Sequence, residues 1–397
     1  MYPPVWNGVV QALRDIFEGG FPADKVIQRQ MKINKKWGSS DRRMFAESVY
    51  DIVRWWRRLL FACELPFPAV GDAYVPVLSA WCIIHDVKVP ATFLRISASS
   101  ANVISRWNDP GGRAVRESLP DWLDQWASEQ LGAKWDQLLP VLNTIAPAYL
   151  RANRLKTTPQ KLKSKLDAEN FECEIVEGDC LRLKKRGNVF MSKAFKEGLF
   201  EMQDLNSQRV GLALDPKPGE RVIDACAGAG GKTLHIASLM GNKGKIIALD
   251  VAEKKLDNLR ERCSRDGASG VEVKVIDSTK VIKRLHDSAD RVLLDVPCTG
   301  SGVWRRNPDS KWRLTAEEIE RVSGLQTEIL SSYPQMCKVG GRLVYSTCSV
   351  MPSENEKQVE KFLAAHGEQW KLLSQENLAP AVDGPDGFFI AVLERIS

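Results

Sequence analysis

Four histidines in 397 residues, and nine cysteines with no C-x-x-C spacing, leave little from which to build a metal site. Zinc frameworks need Cys or His ligands paired a few residues apart, and no metal is expected. An odd number of scattered cysteines in a long chain also argues against a disulfide framework. No apolar run approaches the roughly 20 residues of a membrane span. The N-terminus lacks a basic start followed by an apolar core, so no secretory signal is expected and the chain is placed in the cytoplasm. A phosphate loop of the G-x-x-x-x-G-K-[ST] type is also missing. Five residues before Gly231 stands Cys226 rather than glycine, which sets ATP and GTP aside.

What is present fits a globular chain of two or three domains: 44% of residues are hydrophobic and 27% charged. The net charge of +6 is uneven. Residues 151–200 carry +5, residues 1–150 carry +2, and the remainder is near −1. A basic excess concentrated in a short segment points to a polyanionic partner, although a solvated face accounts for it as readily on charge alone.

Residues 1 to about 145 read as helical. Phe45, Val49, Ile52, Val53 and Trp56 form one stripe at helical spacing within Met44–Leu60, and Ser40-Asp41 offers a cap before it. Six or so helices are expected. Trp55, Trp56, Trp81, Trp107, Trp122, Trp126 and Trp135 fall on apolar stripes and are read as core. From Pro147 a small α/β module follows, with strands near 149–153, 172–176 and 181–185 and a basic helix over 159–169. Phe195–Gln208 reads as a linker. From Pro218 strands at 221–226, 244–249, 271–276, 290–295 and 341–346 alternate with helices near 231–240, 252–266, 315–337 and 353–366, and 369–374 with 387–394 can close a hairpin. Such alternation gives a mainly parallel sheet with helices on both faces. Ligands bind beyond the carboxyl ends of its strands.

The polar residues gather at those ends. Asp224, Asp250, Asp277 and Asp295 end the first four strands, and Thr347-Cys348 follows the fifth. The first strand runs into Asp224-Ala-Cys-Ala-Gly-Ala-Gly-Gly-Lys-Thr233, a glycine-rich turn opening a helix, and Asp250 lies 20 residues beyond Gly230. That is the spacing of a nucleotide-type cofactor site with an acid for the ribose. Asp295-Val296-Pro297-Cys298 sets a carboxylate and a thiol beside it, and Cys348 adds a second thiol. One free cysteine is most often a small buried hydrophobe. Two at adjacent strand ends point to covalent catalysis, in which a sulfur nucleophile divides one hard step into easier ones.

These residues resemble the RNA cytosine-5 methyltransferases of the RsmB/Sun type. The resemblance covers about residues 146–397 in matching order. It includes Gly198–Asp204, the cofactor turn, Asp250, Asp277, Asp295–Gly302, Arg305–Asp309 with Lys311-Trp312, Ser346–Ser349, Glu354-Asn355-Glu356 and Asp386–Ala391. More weakly, Asp41–Arg54 resembles the NusB-like helical domain of the bacterial RsmB-type enzymes. The fold implied is a Rossmann-like class I methyltransferase domain over 206–397. A small RNA-binding α/β subdomain over 146–205 and an all-α NusB-like domain over 1–145 precede it. The cofactor implied is S-adenosylmethionine. Cys226, Ala227, Gly228, Ala229, Gly230, Gly231 and Lys232 would hold its methionine part, Asp250 its ribose and Asp277 its adenine edge, with Asp295 facing cofactor and base.

The resemblance also orders the thiols, which spacing does not. Cys348 is the implied nucleophile at carbon 6 of the cytosine, and Cys298 assists product release. Carbon 5 is a poor nucleophile until a thiolate at carbon 6 turns the ring into an enamine. The implied partner is RNA, 16S ribosomal RNA ahead of transfer RNA, and the chain is expected to be a monomer. A non-catalytic RNA-binding assembly factor is the alternative of a different class. One departure stands out: the family's A-A-P-G-G-K-T reads Ala227-Gly228-Ala229-Gly230-Gly231-Lys232-Thr233 here, and losing the proline is expected to loosen the turn.

Overall fold

The computed structural model describes residues 3–69, 71–88, 93 and 96–397, and these divide into two units. One comprises residues 1–144 together with 304–315, the other 145–303 with 316–397. The first is helical, with nine described α-helices from Pro3–Phe17 to Ala133–Leu142 and a tenth, Ser310–Arg313, from its second segment. The expected stripe of Phe45, Val49, Ile52, Val53 and Trp56 is buried in its core. The long helix starts earlier than read, at Ser39, with the Gly38 N–H donating to Asp41 at 3.2 Å. It breaks at Trp55, and Trp56–Ala62 forms a separate helix. Trp56, Trp81 and Trp135 are core, but Trp122 is 37% exposed. It follows the first residue of its helix, Asp121–Leu131, where Leu123 and Ala127 take the buried face instead.

Residues 304–315 belong to the methyltransferase-like stretch in sequence but build the helical unit. Trp304 meets Trp135 edge-on at 6.2 Å, and Trp312 Nε1 donates to the Val53 carbonyl at 2.7 Å. Lys311 is fully buried, its Nζ donating to the Arg54 carbonyl at 2.9 Å and to Asn143 at 3.1 Å. Burial drives its pKa well below the ordinary lysine range. A buried ammonium is tolerated only where such acceptors meet it.

The second unit holds two sheets. Strands β1 (Tyr149–Ala152), β2 (Cys173–Glu177), β3 (Cys180–Leu183) and β4 (Phe200–Met202) form an antiparallel sheet in the order β2-β3-β1-β4. The segment read as a linker thus supplies its edge strand. Strands β5 (Arg221–Asp224), β6 (Lys245–Asp250), β7 (Val271–Val275), β8 (Ala289–Asp295), β9 (Cys337–Thr347), β10 (Trp370–Leu378) and β11 (Phe388–Arg395) form a seven-stranded sheet in the order β10-β11-β9-β8-β5-β6-β7. β5 through β9 run parallel, and β11 and β10 are antiparallel additions.

Period-two alternation fills both faces of this sheet. Val222, Leu293, Val344 and Ile390 pack with Val210 and Ile236 on one side. Ile223, Leu294, Tyr345 and Phe389 pack with Ile329 and Phe362 on the other. The order reverses at β5, which has β8 on one side and β6 on the other. The crevice for a ligand therefore opens at the carboxyl end of β5.

Buried polar contacts fasten the small sheet to the large one. Arg151 on β1 donates to the Gly231 carbonyl at 2.8 Å and also bonds Gln203. Burial pulls its guanidinium down to about 9. Glu201 on β4 is buried and paired with Arg262, at 2.7 Å, and with Arg265. Asp204 caps helix Leu205–Leu214 through the Asn206 N–H and accepts the Asp386 N–H at 3.2 Å. Removing one member of a buried ion pair leaves the other uncompensated. Glu201→Ala is therefore expected to lower stability by about 3 kcal/mol in urea denaturation, and Glu201→Gln by less. A loss below about 0.5 kcal/mol, the scale of an ordinary surface change, would mean these arginines need no partner.

Candidate active site

The cofactor turn leaves β5 and opens helix Gly231–Met240. Gly228 and Gly230 adopt φ of +55° and +88°, values that favour glycine. A Cβ on Gly230 would also lie 2.1 Å from Leu259 Cδ1. The Gly228 N–H donates to Asp250 Oδ2 at 2.8 Å, and the Ala252 N–H donates to Asp250 Oδ1 at 2.8 Å. The glycine gained relative to the family pattern therefore occupies a left-handed position and is tied down, so the residue change does not leave the turn unheld.

Beneath the turn, Asp224 is buried and accepts the Thr233 hydroxyl at 2.7 Å. Its other oxygen has no hydrogen-bond partner among the described residues. Burial, with Asp295 nearby, pushes this carboxyl up to about 7 against the Thr233 bond. Cys226, half-buried beside these acids, has its thiol pushed well up, by burial first and then by Asp224, Asp295 and Asp250.

Asp295 ends β8 with both oxygens engaged. Lys232 Nζ lies 2.6 Å from Oδ2, and Ser346 Oγ donates to Oδ1 at 2.9 Å. Lys232, read as part of the cofactor turn, thus joins that turn to the β8 end, and its ammonium also lies 5.3 Å from the Phe388 ring centroid. Asp277 lies apart from this network. It is exposed beyond β7, and its carboxylate accepts the neighbouring Ser278 hydroxyl at 2.9 Å.

The two thiols meet. Cys298 Sγ and Cys348 Sγ are 3.4 Å apart, and both residues are half-buried. The bond to Cys348, then burial, then the negative charge of Cys348 and Glu354, hold the Cys298 thiol well above its ordinary range. Of the cysteines outside the site, Cys63, Cys82, Cys173, Cys180 and Cys337 are buried and Cys263 is half-buried.

What keeps the sulfurs together is Glu354, present in the motifs above but without a role there. The residue is 1% exposed. It accepts the Thr299 N–H at 2.8 Å, the Thr299 hydroxyl at 2.6 Å, Gln326 Nε2 at 3.1 Å and the Ser349 hydroxyl. Thr299 follows Cys298 and Ser349 follows Cys348, so one carboxylate grips both thiol loops. Asn355 adds a second grip, accepting the Thr347 hydroxyl at 2.5 Å and donating to the Ser349 carbonyl at 3.0 Å. Ser301 and Ser349 hydroxyls meet at 2.8 Å, and the Gly302 N–H donates to the Cys348 carbonyl at 2.9 Å. Sequence offered one signal for this: a Glu-Asn pair shortly after a thiol, with hydroxyl residues following both cysteines.

Glu354→Ala strands four buried donors. It is expected to cost about 3 kcal/mol or more and to lower methyl transfer by at least about 100-fold, the scale seen when reacting groups are displaced by about an ångström. Glu354→Gln, which keeps the shape and one acceptor, should recover part of both. Urea melts and single-turnover rates of the two variants read this out. Wild-type rates in Glu354→Ala would show that the clamp is dispensable.

The chain matches the family model described as 16S rRNA methyltransferase RsmB/F over residues 211–394. The ferredoxin-like domain model of the same enzymes matches residues 119–190. It is 36% identical over 299 residues to a probable ribosomal RNA small subunit methyltransferase B of Synechocystis, covering 70% of this chain and 67% of that one. It is 33% identical over 308 residues to the Bacillus subtilis protein of the same description, covering 72% and 69%. Its length therefore aligns with about two thirds of each of these relatives. Among solved structures, PH0851 superposes with a TM-score of 0.83 at 27% identity over 100% of this chain and 99% of that one. A methyltransferase homolog protein from Pyrococcus horikoshii gives 0.63 at 30% identity, over 71% and 97%.

Proposed function

Starting from the fact that the chain belongs to the RsmB/F family of ribosomal RNA methyltransferases, we propose that it methylates carbon 5 of a cytosine in small-subunit ribosomal RNA. The observation that carries this reading is the pair of thiols, 3.4 Å apart beyond the ends of adjacent parallel strands. A methylation at an amine or hydroxyl needs no sulfur nucleophile. A ring carbon does, because a transient covalent bond is what makes it nucleophilic.

The methyl donor, S-adenosylmethionine, supplies an electrophilic methyl group. The residues present fit it. The turn has two glycines at positive φ, Asp250 ends the next strand, and Asp224 offers a buried oxygen without a partner. Cys226 to Lys232 would hold the methionine part, Asp250 the ribose and Asp277 the adenine edge. Asp295, held by Lys232 and Ser346, would take the cytosine edge at nitrogen 3 as that side of the ring gains positive character.

The thiols then have separate roles. Cys298 holds its proton and donates it to the Cys348 sulfur, which attacks carbon 6 as the thiolate. As the thiolate adds, nitrogen 3 takes a proton from solvent. Carbon 5 of the resulting enamine attacks the methyl group, whose bond to the sulfonium sulfur breaks to leave a neutral thioether, and the positive charge passes to the ring at nitrogen 3. Once Cys348 is bonded to carbon 6, its sulfur is no longer an anionic acceptor for Cys298, which removes the first cause holding that proton in place, while burial still acts on it. Cys298 loses that proton to solvent and, as a thiolate, accepts the proton from carbon 5. The Cys348–carbon 6 bond then breaks with its electron pair leaving on sulfur as the ring double bond re-forms, and nitrogen 3 returns its proton to solvent.

Cys348→Ala is expected to reduce methylation of small-subunit RNA below detection while RNA binding persists, measured by methyl incorporation and bisulfite sequencing. Cys298→Ala should stall after methylation and accumulate a protein–RNA adduct on denaturing gels. Normal turnover by Cys348→Ala, or a Cys298→Ala enzyme that turns over without an adduct, contradicts these roles. If bisulfite sequencing of a deletion strain shows no lost 5-methylcytosine in small-subunit RNA, the substrate assignment fails.

A further inference from the structure

Residues 184–196, between β3 and β4, contain five cations and no acid: Lys184, Lys185, Arg186, Lys193 and Lys196. The segment is anchored from beneath. Val189, Ser192 and Ala194 are buried. The Ser192 hydroxyl donates to the Val189 carbonyl at 2.6 Å and accepts the Phe195 N–H at 3.0 Å. Glu169 accepts the Lys193 and Ala194 N–H groups at 2.6 and 3.2 Å.

On this fixed base a single 3₁₀ turn, Val189–Met191, presents Phe190 and Met191 to solvent, 51% and 65% exposed. Phe195 braces the Phe190 ring edge-on at 5.0 Å and itself contacts the buried Phe200 at 5.5 Å. The neighbouring acids are already engaged: Asp167 with Lys163, Glu197 with Lys165, and Glu169 with backbone. Lys185, Lys193 and Lys196 have no ion-pair partner among the described residues.

An aromatic ring held rigid and exposed inside an acid-free basic frame matches one ligand chemistry. Stacking uses the face of an unpaired base, and the surrounding ammonium groups neutralise phosphates. We propose that this segment is a contact surface for single-stranded RNA, with Phe190 and Met191 receiving a base and Lys185, Lys193 and Lys196 the flanking phosphates. The proposal rests on the reading of the chain as an RNA-modifying enzyme. Charge alone would serve any polyanion. The rigid exposed ring selects an unpaired strand, because bases within a duplex offer no free face. The small sheet that carries the segment is fastened to the cofactor turn through Arg151, so RNA held here keeps a fixed relation to the reacting residues.

The test is fluorescence anisotropy of the full chain with a labelled, unstructured oligoribonucleotide over a range of salt concentrations, with a duplex of the same sequence as comparison. Phe190→Ala with Met191→Ser should bind the single strand about tenfold more weakly with an unchanged salt slope, and the duplex as the wild type does. Phe190→Trp should restore binding. Replacing Lys185, Lys193 and Lys196 with Ala should weaken binding and flatten the slope of log affinity against log salt by about 2. The lysine variant should keep the wild-type melting temperature, and Phe190→Ala with Met191→Ser should lower it by no more than the few degrees that the lost edge-on contact with Phe195 accounts for. Unchanged single-strand affinity in the Phe190/Met191 variant overturns the proposal, as does an equal loss on duplex, failure of the tryptophan to restore binding, or no RNA binding by the wild type. A wild-type chain that binds RNA with this pattern but methylates none refutes the enzymatic reading and leaves the surface standing. A chain that methylates RNA while the variants bind normally does the reverse.

Discussion

One buried carboxylate sets the distance between the two sulfurs. Glu354 is taken out of water completely, a position that is costly for a charge unless donors replace its hydration. Four donors do so, and they come from three separate parts of the chain: the loop after β8, helix Ala316–Ser332 and the loop after β9. The parallel pairing of β8 with β9 already brings Asp295 opposite Ser346. Pairing alone leaves the loops beyond the strands free to diverge. Glu354 closes that freedom, and the Tyr345 hydroxyl, donating to the Glu354 carbonyl at 2.7 Å, fixes the backbone of the clamp in turn. The Sγ–Sγ separation of 3.4 Å follows from this framework, and so does the raised pKa of Cys298.

The same logic governs the cofactor side. Lys232 begins in the glycine turn and ends on Asp295, so the turn and the β8 end are one electrostatic unit. Arg151 reaches the carbonyl of Gly231 from the small sheet, and Glu201 holds two arginines of the helix that follows β6. The motif Gly198–Asp204 thus has a structural reason: it seats one sheet against the other beside the turn. Loss of the family's proline is met by a glycine at positive φ whose N–H is bound to Asp250. Flexibility in the unfolded chain need not become looseness in the folded one.

Much of this was legible in the sequence. Strong alternation of apolar runs and helical patterns located all seven strands of the large sheet, and Asp224, Asp250 and Asp295 end strands that border the crevice, while Asp277 lies apart from it. What sequence missed has physical causes. β4 is three residues long, too short for a period-two pattern, and it lies between a glycine and a helix cap, which read as a linker. Residues 304–315 carry Arg305, Lys311 and Arg313, which composition assigns to a surface, yet Arg305 and Lys311 are buried. For Lys311 it is the Arg54 carbonyl and the Asn143 amide oxygen, both from the helical unit, that make the burial tolerable. Trp122 followed the apolar pattern but falls on the outer side of its helix. The clamp role of Glu354 depends on contacts 28 and 55 residues away, and no local spacing encodes such a role.

The account stands or falls on which sulfur bonds to the base. The direct measurement uses small-subunit RNA carrying 5-fluorocytidine, whose carbon 5 has no proton to lose, with S-adenosylmethionine and the wild-type chain. The trapped adduct is digested and the modified peptide is sequenced by tandem mass spectrometry. The nucleotide should be found on Cys348, with Cys298 unmodified. Attachment to Cys298, or no adduct under conditions where unsubstituted RNA is methylated, would contradict the mechanism.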